Sequence, residues 1–278
     1  MKKETIFILL FIFTSSQIIF SQETQNENQE QHQLLTDKFH FDLGLVLISK
    51  NVKLGADSST PNEDIDFGNT FRLEDNEFAF FFNFDWSFSK KWNVSIETFS
   101  LSQTNSAILE KDIEWQDVVF NAGTNVKAGI DLDVIRVFFG RIFSRGFKHQ
   151  FGAGLGVHVL NTSAFIEGNV FIDGVFEFER RRVSALIPLP NLGAWYYYTP
   201  STKLALIARV DWFGIKIGDY SATLWDISPG IKYQVFKNVG LGLDYKYLLV
   251  KGNVDNSDWN GNLRMIFSGP LISINANF

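Results

Sequence analysis

Strict alternation of apolar with small or polar residues, repeated along most of the chain, limits its possible folds more than any other feature. In residues 78–90 the even positions are Phe78, Phe80, Phe82, Phe84, Trp86 and Phe88, and the odd ones include Ala79, Asn83, Asp85 and Ser87. Successive side chains of a strand point to opposite faces, so this segment reads as a strand with one continuous apolar face. The pattern recurs in residues 38–50, where Phe39, Phe41, Leu43, Leu45 and Leu47 oppose His40, Asp42 and Gly44. It returns in 149–163, where Phe151, Leu155, Val157 and Val159 oppose Gly152, Gly154, Gly156 and His158. Residues 203–213, 225–235 and 241–249 repeat it, with Arg209, Asp211, Asp226, Lys232, Asp244 and Lys246 on the polar faces. The run of glycines with period two inside a strand marks positions that make room for large neighbours.

Two architectures use such strands. A soluble sandwich buries its apolar faces, whereas a transmembrane barrel turns them to lipid and has short turns at one end and long loops at the other. Loop lengths decide. A long acidic loop over 51–77 is followed by a tight turn at 90–93, and the long strands 92–116 and 124–144 meet at Asn121 and Gly123. A tight turn at 145–148 leads to the fifth strand and a long excursion over 165–183. The sixth strand, 184–198, ends in a tight turn at 199–202. The later connections lie near 218–220, at 237–238 and across 252–258. Short turns therefore follow every even strand. The expectation is an all-β, antiparallel up-and-down transmembrane β-barrel of about ten strands over 38–278, with both termini in the periplasm. Eight or twelve strands follow if 104–128 and 165–190 divide differently. About ten residues cross a membrane, so the longest strands must protrude.

The remaining sequence sets a compartment. Lys2 and Lys3 precede an apolar run over 6–13 and small polar residues to Ser21, so 1–21 reads as a signal peptide. Residues 22–37, rich in Gln, Asn and Glu, read as a flexible periplasmic segment with a solvated His32. A chain without Cys has neither disulfides nor thiolate metal sites, and a formal charge of −6 lacks the basic face that nucleic acid requires. Its 29 Phe with mean hydropathy near zero suit a wall whose every second residue faces lipid. Trp86, Phe88, Trp92, Phe147, Trp195 to Tyr198, Tyr233 and Phe236 cluster by short turns, as an interfacial girdle would.

The last strand carries Ile272, Ile274, Ala276 and a terminal Phe278. This resembles the C-terminal signature by which the barrel-assembly machinery recognises outer-membrane β-barrel proteins. Gly269 and Pro270 suggest a bulge that resets the phase from Leu263, Met265 and Phe267. The chain as a whole resembles the small barrels grouped with OmpA-type and OmpW-type porin-like proteins. That resemblance implies the outer membrane of a Gram-negative bacterium, with its lipids and lipopolysaccharide as surroundings, and implies no particular activity.

Luminal phase predicts a polar network of His40, Asp42, Asp85, His158, Arg209, Asp211, Asp226, Lys232, Asp244, Lys246 and Arg264, nearly balanced in charge. Buried charges are costly unless paired, so balance points to a side-chain plug. Asp131, Asp133 and Arg136 do not share one phase, which suggests a bulge near Val134 and Ile135. Arg180, Arg181 and Arg182 form a candidate external basic patch, read as a solubilising rim or as a holder of lipopolysaccharide phosphates. The acidic loop with Asp57, Glu63, Asp64, Asp66, Glu74, Asp75 and Glu77 matches no EF-hand spacing, and no metal or cofactor site is assigned. These features favour a non-enzymatic structural or surface-interaction barrel or a narrow solute channel, with an unidentified extracellular ligand. The competing reading is a barrel hydrolase using His40 or His158 with an acidic or Ser partner; a third is a soluble exported sandwich.

Overall fold

A computed structural model describes residues 30–56, 65–71, 73, 77–115, 118–172, 175–255 and 260–278. The leader over 1–21 and most of the acidic loop, from Asp57 to Asp64 and from Glu74 to Asp75, lie outside the described residues. The helices and strands all belong to one unit, Gln31–Phe278.

In chain order the elements are α1 (Gln33–Thr36), β1 (Phe39–Ala56), β2 (Ile65–Asp66), α2 (Phe67–Phe71), β3 (Glu77–Trp86), β4 (Trp92–Ile108), β5 (Ile113–Trp115), β6 (Val118–Phe120) and β7 (Asn125–Arg145). They continue with β8 (His149–Ile172), β9 (Val175–Tyr198), β10 (Leu204–Ile217), β11 (Tyr220–Gln234), β12 (Val239–Asp255) and β13 (Asn260–Asn277). Ten long strands pair antiparallel with their sequence neighbours, and β13 closes on β1 from His40↔Asn277 onward. Closure removes the sheet edges that lipid does not tolerate. No helix among the described residues is long and apolar enough to cross a membrane. The outward phase carries Leu43, Phe80, Phe139, Leu155, Tyr196, Trp212, Ile231, Leu243 and Ile272, all exposed, as a lipid-facing belt demands.

The interior has two tiers on one luminal phase. Along β1, His40 and Asp42 are followed by buried Val46 and Ile48; along β4, Ser95 and Glu97 by Phe99 and Leu101; along β12, Asp244 and Lys246 by Leu248 and Val250. The tier toward the short turns is polar, and the tier toward the long loops is a dry core. Phe67 and Phe71 of α2 and Trp115 of β5 join that core, with the Phe67 and Trp115 rings 5.3 Å apart in an edge-on arrangement.

Several expectations need correction. The excursion over 165–183 is no loop: β8 and β9 pair without interruption up to Ile172↔Val175, forming a protruding hairpin. The strand expected over 92–116 ends at Ile108, and β5 and β6 make a separate hairpin. The register of β7 runs unbroken past Val134 and Ile135 and shifts at Ile142/Ser144 instead. The phase of β13 never resets: Met265, Phe267, Leu271, Ser273 and Asn275 all face inward, which puts Arg264 on the exposed outer face. Trp195 is luminal and buried over Gly140 and Gly152, where any Cβ would meet its ring. The end of the segment read as a solvated tether is α1, with His32, Leu34 and Leu35 buried and Gln33 bonded to Gln234.

One seam is incomplete. β9 and β10 pair only from Tyr198↔Leu206 to Leu192↔Trp212, although both strands run further toward the long loops. Pro190 and Pro188 follow at alternate positions. A prolyl nitrogen fits a strand only where no ladder donor is needed, and the continuous β8–β9 register places those nitrogens toward β10. Pairing stops where β9 runs out of donors.

Candidate functional site: the luminal charge network

Alternation delivers polar side chains from each of the ten long strands to the lumen. Their centre is Arg136 of β7. Its Nε donates to Asp211 Oδ2 at 2.7 Å, its Nη2 to Asp211 Oδ1 at 3.1 Å, and its Nη1 to Ser95 Oγ at 2.9 Å. The guanidinium also lies 4.4 Å from the Phe138 ring centre. Such a two-pronged grip is the geometry in which guanidinium and carboxylate bind best.

Asn191 extends the network, its Nδ2 donating to Asp211 Oδ1 at 3.0 Å and its Oδ1 lying 3.1 Å from His158 Nδ1. The other His158 nitrogen, Nε2, lies 3.1 Å from Asp226 Oδ2. Both ring nitrogens of His158 thus face acceptors, given the amide orientation that Asp211 imposes. Lys246 Nζ donates to Asp226 Oδ2 at 2.7 Å and to Glu97, and Arg209 bonds Glu97 and approaches Asp226 at 3.4 Å. Three carboxylates, Glu97, Asp211 and Asp226, meet three cations, Arg136, Arg209 and Lys246, with every carboxylate essentially inaccessible. A buried lattice of this kind persists only with its charges matched.

Closer to the short turns lies a second group. Lys232 Nζ donates to Asp42 Oδ1 at 2.5 Å, and Asn83 Nδ2 bridges Asp42 Oδ2 at 3.1 Å and Asp85 Oδ2 at 2.8 Å. His40 Nδ1 meets Asn277 Oδ1 at 2.9 Å. Asp244 and Lys232 border a cavity of about 70 Å³ that Arg209, Glu97 and Tyr197 also line, enough for a few waters. Beneath it α1 sits in the mouth of the barrel.

Ten of the eleven residues expected in the lumen therefore lie there, and Arg264 does not. Glu97 and Arg136 belong at the centre and were missing from the expectation. Glu97 carried the needed signal, since Asn93, Ser95 and Glu97 alternate with Val94, Ile96 and Thr98. Arg136 was obscured by Asp131 and Asp133, which face outward above the belt, where Asp131 bonds Ser102 and Ser163.

The three arginines lie on β9 and do not converge. Arg180 pairs with Glu167 at 3.1 Å and stacks on Phe165; Arg182 reaches Ser163 at 2.9 Å and Asp131 at 3.7 Å; Arg181, on the opposite face, pairs with Glu179. Asp66 caps α2 through the Asn69 backbone at 3.1 Å.

His158, Asp211 and Asp226 have donor atoms within 4.8 Å of one another. Both Asp211 oxygens and Asp226 Oδ2 are engaged by Arg136, Arg209 and Lys246, while Asp226 Oδ1 is buried without a hydrogen bond, so the donor set fits an ion-pair lattice better than a metal. A Ser and a His do meet at the exposed short-turn end, Ser144 Oγ and His149 Nε2 at 3.1 Å. His149 has no carboxylate partner among the described residues.

No protein-family model matches the sequence, and no curated protein matches it. Solved structures do. The outer membrane protease OmpT from Escherichia coli is 9% identical, with 87% of this chain and 97% of that chain covered at a TM-score of 0.59. Ail, the attachment invasion locus protein of Yersinia pestis, is 8% identical over 84% and 98% at 0.32, and the Pseudomonas putida toluene transporter TodX is 10% identical over 88% and 91% at 0.33. At such identities likeness bears on the fold alone. The chain has the fold of a small outer-membrane β-barrel, an antiparallel up-and-down ring of ten strands.

Proposed function

We propose that this protein is a non-enzymatic, non-conducting barrel of the outer membrane of a Gram-negative bacterium. It presents the protruding sheet of β7, β8 and β9 to an extracellular partner, with its short turns and both chain ends in the periplasm. The observation that carries this reading is the filled interior: an ion-pair network, with three carboxylates against three cations at its centre, occupies one half and an apolar core the other. The length of β8 and β9, 24 residues each, supports the interaction role, since about ten residues span a bilayer. Arg180 and Arg182 are matched by Glu167 and Asp131 on the outward face, so this surface suits a polar partner more than lipopolysaccharide phosphates. The strand ending at Phe278 would be read by the assembly machinery.

Single-channel recording in planar bilayers tests the seal. No current steps are expected, and ohmic steps would overturn the non-conducting reading. Turnover of a peptide or lipid ester that His158→Gln abolishes would overturn the non-enzymatic one.

A further inference from the structure

Arg141 occupies an unusual place. It is on the outward face of β7 opposite Trp92 of β4, between exposed Phe139 and Phe143. Its guanidinium lies 5.4 Å from the Trp92 ring centre and 5.8 Å from that of Phe143. It has no acidic partner among the described residues, and neither 87–93 nor 139–150 contains an Asp or Glu. Two more cations stand beside it on the β3–β4 turn, exposed Lys90 and Lys91, and the Lys91 carbonyl accepts the Ile142 N–H at 2.8 Å. A charge in the lipid-facing phase is costly without a counter-charge, and here the protein supplies none. Aromatic rings beside cations at a membrane boundary match a lipid whose chains pack on the rings and whose headgroup meets the charges.

We propose that Arg141, with Lys90 and Lys91, holds the phosphate of an anionic glycerophospholipid, its acyl chains lying on Trp92, Phe139 and Phe143. A planar guanidinium suits the phosphate oxygens, and three cations without an acid disfavour a headgroup that brings its own ammonium. The choice of a glycerophospholipid rests on the short turns facing the periplasm, where that leaflet lies.

The full chain, purified in detergent, is incubated with equimolar phosphatidylglycerol and phosphatidylcholine, and retained lipid is measured by native mass spectrometry. Phosphatidylglycerol should be enriched about fivefold, the factor one basic residue supplies at an anionic membrane surface. Arg141→Gln should abolish the enrichment, Arg141→Lys should keep most of it, and Lys203→Gln, on another turn, should leave it unchanged. Equal retention by the natural protein, or enrichment that survives Arg141→Gln, overturns the proposal. If Arg141→Gln does not fold, quenching of the natural protein's tryptophan fluorescence decides: it should be stronger with spin-labelled phosphatidylglycerol than with spin-labelled phosphatidylcholine, and equal quenching overturns the site. Orientation is read separately by labelling Ser89→Cys in intact cells with an impermeant maleimide. Labelling there overturns the periplasmic placement while leaving the phosphate result standing. Preferential retention of lipid A over phosphatidylglycerol overturns the phospholipid assignment.

Discussion

Arg136 and Asp211, 75 positions apart in the chain, grip each other across the lumen through two hydrogen bonds of 2.7 and 3.1 Å. This pair ties β7 to β10, strands that share no ladder. Removing one partner weakens the hold on the other: Arg136→Met should destabilise the barrel by about 3 kcal/mol, because buried Asp211 loses its two-pronged partner and keeps only Asn191 and the Arg209 guanidinium at 3.4 Å. The double variant Arg136→Met with Asp211→Leu should recover much of that loss. Denaturant titration, followed by the mobility difference between unheated and boiled samples, measures both.

The β9–β10 seam is open because its donors are missing. Pro188→Val with Pro190→Val restores two N–H groups at the unpaired edge, so pairing should extend from Leu192↔Trp212 toward Ile187 and Ile217. Amide exchange at Gly214 and Lys216, whose N–H groups face β9 when the register of Leu192↔Trp212 is extended, should slow by at least about tenfold, consistent with newly protected ladder bonds. Unchanged exchange at these two residues would show that another constraint holds the seam apart.

Leu248 is fully buried in the dry tier. Leu248→Ala should cost about 2–5 kcal/mol, the range for large-to-small changes in a packed interior. It should not open a conducting path, since Phe99, Leu132, Leu224 and Phe267 still fill the section. Denaturant titration and bilayer recording on the same preparation test both halves of this expectation.

His32 reports on the stopper. Burial lowers its imidazole from the ordinary value of 6.5, and nearby His40 and cationic Lys232 act in the same direction. With a folded-state value below the unfolded one, docking of α1 is favoured above about pH 6.5 and weakens as the pH falls through the lower value. The Leu34 N–H donates to His32 Nδ1 at 3.1 Å, an acceptor that protonation removes. Protease cleavage between Gln31 and Lys38 should therefore accelerate toward pH 5. His32→Asn keeps a capping oxygen and should flatten that dependence; a variant with the natural pH profile would assign the effect elsewhere.

Alternation alone was enough to place His40, Asp42, His158, Arg209, Asp211, Asp226, Lys232, Asp244 and Lys246 in the lumen. Their strands cross the membrane, where an apolar outer face leaves only one inward phase. Where that logic failed, it failed above the belt. Arg264, Asp131 and Asp133 face outward there, and Val46, Leu248 and Phe267 face inward, because the surroundings have become water and the interior must bury apolar surface as a soluble core does. A single rule applied along a whole strand inverts at that boundary.

The sequence by itself determined the ten long strands, the short turns that join them at one end, their closure into one ring and the lipid-facing wall of Phe, since each depends on period and spacing along one chain segment. Only the tertiary structure decided which charges meet. Arg136 reaches Asp211, Lys246 reaches Glu97, and α1 returns to the barrel mouth. These contacts join residues far apart in sequence, and their distances depend on how ten strands curve into one ring, which no local pattern encodes.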